Sequence, residues 1–116
     1  MWTLQNAAIL FVLAALGGLT MLVIRLRGSN PPTWLAIGHG VIALSGVAIL
    51  GHLYEYSMMP QYANWALLVF LGAALGGAFL FFTYQIRGRL LPIPIICAHG
   101  LIAATGLGLL LTALFR

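Results

Sequence analysis

"RGSNPPTWLAIGHGVIALSG" (residues 27–46) and "RGRLLPIPIICAHGLIAATG" (residues 87–106) align without a gap at an offset of 60. The register pairs Arg27 with Arg87, Gly28 with Gly88, Pro32 with Pro92, His39 with His99, Gly40 with Gly100, Ile42 with Ile102, Ala43 with Ala103 and Gly46 with Gly106. Apolar segments match one another easily, but arginine, proline and histidine matching in a single register is harder to obtain by accident. Upstream, "AAILFVLAALGG" (7–18) matches "ALLVFLGAALGG" (66–77) at an offset of 59, so one residue is gained between the two blocks. The chain reads as an internal repeat, with one unit over about 2–56 and the other over about 62–116.

Composition decides the medium in which such a repeat folds. Of the 116 residues, 63% are hydrophobic and 5% charged, and the mean hydropathy is +1.11. A soluble domain of this size needs a polar shell that this chain cannot provide. Four apolar stretches, Trp2 to Ile24, Trp34 to Tyr54, Trp65 to Thr83 and Pro94 to Phe115, are each long enough to cross about 30 Å of hydrocarbon as a helix. No basic residue precedes the first stretch, so it reads as a retained helix rather than a cleavable signal. The expected fold is an all-α integral membrane protein: one domain, four transmembrane helices, two parallel-related helical hairpins.

Charge sets the expected orientation. Arg25 and Arg27 follow the first span and Arg87 and Arg89 the third, while the only acidic residue, Glu55, lies between spans two and three. The positive-inside rule puts both arginine turns in the cytoplasm and both termini on the other side, the periplasm if this is a bacterial inner membrane. The same turns are placed to touch anionic lipid. Trp2, Trp34, Trp65, Tyr54, Tyr56, Tyr62 and Tyr84 fall near span ends, where an amphipathic ring satisfies both phases. A net charge of +4 confined in this way is no footprint for nucleic acid. Cys97 is the only cysteine, so no disulfide forms within the chain, and it reads as a small packing residue.

Because each unit crosses twice, both enter from the same side, and helices two and four run in the same direction. His39 and His99 then lie at equal depth, about 8 Å past the start of their spans. An imidazole at that depth is costly unless it is used, and its neutral form is the one that ligates iron. Ala43 and Gly46 follow His39 at four and seven residues, as Ala103 and Gly106 follow His99, so each histidine heads a strip with almost no side chain. Phe11, Phe70, Phe79, Phe81 and Phe82 are candidates to cover a flat ligand.

"GHGVIALSG" and "AHGLIAATG" on two helices of a four-helix bundle resemble the histidine-bearing helices of membrane b-type cytochromes. The resemblance spans the four helices in outline, and its motif is a dipeptide in an apolar helix. It implies one non-covalent low-spin haem b with His39 and His99 as axial ligands, Gly40 and Gly100 as neighbouring small residues, and Arg27 and Arg87 near the propionates. It also implies one-electron transfer with a quinone or a redox protein rather than self-contained catalysis. His52 departs from the pattern of two-haem members: its counterpart is Thr112, and thirteen residues turn it about 140° from the His39 face. It reads as an interfacial polar residue.

Other classes compete with haem. A scaffold or assembly subunit could use the histidines only to hydrogen-bond helices together. A transition-metal site would need more donors than two histidines, which a homodimer would supply. A small transporter has the right size, but no acidic residue lies within a span. C-x-x-C-H, H-E-x-x-H, the P-loop and the dinucleotide fingerprint are all absent, and one carboxylate side chain excludes hydrolysis by paired carboxylates.

Overall fold

The computed structural model describes residues 2–116. Four helices fill them: α1 (Leu4–Leu26), α2 (Thr33–Tyr56), α3 (Gln61–Leu80), extended by a π-helical turn over Phe81–Gln85, and α4 (Ile93–Phe115). Local sequence sets their ends. Thr3 caps α1 by accepting a hydrogen bond from the Asn6 amide at 3.1 Å. Pro32, Pro60 and Pro92 stand immediately before α2, α3 and α4, and a proline fixes φ while leaving nothing to donate. Gly28 follows the α1 C-cap at φ +107°, a conformation strained for any residue with a Cβ.

By length and hydropathy all four helices can cross a membrane. Their arrangement inverts that of a soluble bundle. The buried side of α1 is Ala7, Ala8, Phe11 and Ala14, and that of α3 is Ala63, Ala66, Phe70, Ala73 and Leu80, while large apolar side chains such as Leu13, Leu16, Leu68 and Leu75 face outward. Small residues inside allow close helix approach, and the larger ones outside suit contact with lipid.

Each of α1 and α3 packs against both α2 and α4. The helices therefore alternate around the bundle, with α2 diagonal to α4 and α1 diagonal to α3. Positions matched by the two offsets make matching contacts. Phe11 lies under Gly46 and Phe70 under Gly106, where an added Cβ would come within 2.8 and 2.9 Å of the ring. The two phenylalanines stack on each other, with centroids 3.7 Å apart and planes within 2°. Leu50 and Leu110, another pair at offset 60, are fully buried.

The turns after α1 and α3 clasp each other. Arg25 Nε donates to the Leu91 carbonyl at 2.8 Å, and Gln85 Nε2 donates to the Pro31 carbonyl at 2.9 Å. Arg25 matches Gln85, and Pro31 matches Leu91, at an offset of 60. Asn30 adds a third tie, donating to the Arg89 carbonyl and accepting from the Leu91 amide. The π turn, closed by Ile86 N–H to Phe81 O at 2.9 Å, lies in the interval where the offset changes from 59 to 60. A π turn holds one residue more than an α turn, so the gained residue leaves Gln85 where it can make the same crossing as Arg25.

Candidate functional site

His39 and His99 project from diagonal helices into the bundle, both half-buried, with ring centroids 6.3 Å apart and planes at 77°. They are the only two histidines brought together. His39 Nδ1 lies 2.8 Å from the Ala14 carbonyl. A carbonyl only accepts, so Nδ1 carries the hydrogen and the lone pair of neutral His39 is on Nε2. This backbone contact fixes a tautomer in the way that outer partners commonly orient metal-ligating imidazoles. His99 sits beside the backbone of Ala73, the counterpart of Ala14, but its buried Nδ1 is outside hydrogen-bond geometry.

The backbone makes room for the rings. An added Cβ at Gly18 would stand 3.1 Å from His39 Cε1, and one at Gly77 would stand 3.2 Å from His99 Cε1. Gly17 and Gly76 are close to the Nδ1 atoms of the same rings, at 3.8 and 3.6 Å. These glycines of α1 and α3 are what sequence reasoning missed. The signal for them is their position in the "LGG" that ends both copies of the first repeat block.

Gly46 and Gly106 carry the phenylalanine stack instead of a site wall. Ala43 and Ala103 are half-buried between that layer and the histidines. Gly40 and Gly100 border open space, with nothing within 4 Å of an added Cβ. Of the aromatics named as cover, Phe79 and Phe82 face outward, and Phe11 and Phe70 are committed to each other. Arg27 and Arg87 are exposed on the two turns. His52 stacks on Trp2 at 4.2 Å and lies 4.9 Å from Tyr56, at the end of α2 away from the arginines. Thr112, its counterpart, turns its hydroxyl back to the Gly108 carbonyl at 2.8 Å. No cluster of three or more His, Cys, Asp or Glu side chains exists among the described residues, and Cys97 is exposed on α4.

The donor set suits a single metal held between two rings. A metal–nitrogen bond is about 2 Å, so two imidazoles ligating one ion from opposite sides have centroids about 6 Å apart, as His39 and His99 do. Comparisons with protein-family models, with curated proteins and with solved structures give no match for this chain.

Proposed function

We propose that the chain crosses a membrane four times as two hairpins related by an approximate two-fold axis along the bundle, and that His39 and His99 hold the iron of one haem b for one-electron transfer. The observation carrying the haem reading is the 6.3 Å separation of two imidazoles from diagonal helices, with one of them locked in the tautomer that leaves Nε2 to ligate. Outward-facing leucines, and buried sides of α1 and α3 made mostly of alanine, support the crossing. The stack of Phe11 on Phe70, and the matching crossings of Arg25 to Leu91 and of Gln85 to Pro31, support the two-fold relation. By the positive-inside rule the arginines on the turns favour an orientation with that end in the cytoplasm and the termini and His52 on the opposite side, the periplasm if the membrane is a bacterial inner one.

When bound, haem supplies a reversible one-electron couple. The chain's own part is to orient two neutral imidazoles, keep water from them and surround them with a low dielectric. If His39 and His99 both held the iron, no position would be left for oxygen activation. Partners of such a centre are a quinone or a redox protein.

One observation favours a second reading. Gly17, Gly18, Gly76 and Gly77 stand so near the imidazoles that an added Cβ would meet the rings at 3.1 to 3.8 Å, and a macrocycle between the rings requires α1 and α3 to part there. The same contacts, with the His39 to Ala14 hydrogen bond, serve a scaffold in which histidines simply tie helices together. An optical spectrum separates the two. Protein produced with ample haem and purified in detergent is expected to show a low-spin Soret band that is lost in His39→Ala and His99→Ala and kept in His52→Ala. A colourless, folded preparation overturns the haem reading.

A further inference from the structure

We propose that the turn end of the bundle is a binding surface for the headgroups of anionic phospholipids, with Arg27 and Arg87 as its contacting cations. The proposal rests on the membrane crossing but not on haem.

Four of the five arginines are on the two turns or the helix ends beside them. The only acidic side chain, Glu55, is at the far end of α2, so no carboxylate side chain neutralises the cluster. The guanidiniums divide by use. Arg25 is spent on the Leu91 carbonyl. Arg89 reaches the Thr83 carbonyl at 3.4 Å and lies 5.0 Å over the Tyr84 ring. Arg27 and Arg87 are exposed and donate no side-chain hydrogen bond among the described residues. They occupy matched places on turns that Asn30, Arg25 and Gln85 hold side by side. The surface is thus a fixed pair of free guanidiniums beside two occupied ones.

Depth selects lipid over a soluble acidic partner. The turns are short, residues 27–32 and 86–92, and neither projects a loop beyond the helix ends. Arg27 is the C-cap of α1. Trp34, 73% exposed in the first turn of α2, marks the interfacial level on the same end. Guanidiniums at that level meet phosphates, which they bind through paired hydrogen bonds.

The test titrates full-length protein in neutral detergent with short-chain phosphatidylglycerol or phosphatidylcholine and counts bound lipid by native mass spectrometry. The expected result is a preference for phosphatidylglycerol that weakens with salt, falling roughly fivefold in Arg27→Gln and in Arg87→Gln and about twenty-five-fold in the double variant. Arg116→Gln, at the other end of the bundle, should keep the wild-type preference. Equal binding of the two lipids, or a double variant that keeps the preference, overturns the proposal. Resistance of the membrane-bound protein to alkaline extraction reports the crossing independently, so failure of the lipid site and failure of the crossing are distinguishable.

Discussion

Two neighbouring layers of the bundle solve the same geometric problem in opposite ways. In one, α1 and α3 send Phe11 and Phe70 to the axis, and α2 and α4 answer with Gly46 and Gly106. In the other, about two turns nearer the arginine-bearing turns, α2 and α4 send His39 and His99, and α1 and α3 answer with Gly17, Gly18, Gly76 and Gly77. The phenylalanines meet at van der Waals distance, 3.7 Å. The histidines stop at 6.3 Å. A large side chain opposite a glycine is therefore the common device, and the difference lies in whether the pair closes on itself. The closed layer is spent on holding the helices together, whereas the open layer keeps two nitrogen-bearing rings within reach of a shared partner.

The comparison breaks most directly at the closed layer. Phe70→Ala removes half of the stack, and a loss on the order of 2 kcal/mol is expected, mainly the cavity term if, as proposed, the helices lie in a membrane and lipid rather than water receives them on unfolding. Thermal denaturation in detergent measures it. Gly46→Ala follows, at about 1–2 kcal/mol, since its Cβ would lie 2.8 Å from the Phe11 ring and the facing Phe70 stops that ring from yielding. Wild-type stability in Gly46→Ala would show that the stack is looser than drawn.

At the open layer the expected stability cost is smaller and the effect on the site larger. Gly18→Ala and Gly77→Ala put a methyl group 3.1 and 3.2 Å from a histidine Cε1. The methyl group meets the edge of one imidazole rather than a closed stack, so each change should cost about 1 kcal/mol. If the histidines bind haem, both changes should shift the Soret band or the midpoint potential, while Gly40→Ala, which meets nothing within 4 Å, should leave both as in wild type. Identical spectra across all three variants would remove the glycines from any part in the site. The smallest effect is expected at His52→Ala, which loses a stack on Trp2 and should change stability by about 0.5 kcal/mol with no effect on the spectrum.

The helical content and the pairing of His39 with His99 were legible because they rest on hydropathy and on one long register. Observed helices begin and end within two residues of the apolar stretches, except that α3 starts at Gln61, four residues before Trp65; the third stretch was expected to end at Thr83. There the backbone continues through the π turn to Gln85, because a wider turn can carry a polar residue on toward a buried carbonyl. The change of offset located the extra residue without giving its conformation. Phe11 and Phe70 were read as cover for a ligand, although the offset of 59 already paired them. What hid their stack is that facing across an axis depends on which helices are diagonal, and hydropathy does not order helices around a bundle. The clasp was hidden for a different reason: Arg25 and Gln85 share a position but not a charge, and only their common ability to donate an N–H matters there.

The π turn also separates drift in length from drift in chemistry. It begins at Phe81, beyond Gly77 and Leu80, so every α3 residue that faces the histidines or the phenylalanine stack keeps the phase of its α1 counterpart. The added residue is absorbed within one turn and the polypeptide resumes in step at the clasp. A residue gained between Phe70 and Gly76 would have rotated Gly76 and Gly77 by about 100° relative to the stack, away from His99. The wide turn thus acts as an expansion joint, placed at the last point in α3 where the two halves can differ in length and still present the same faces to the axis.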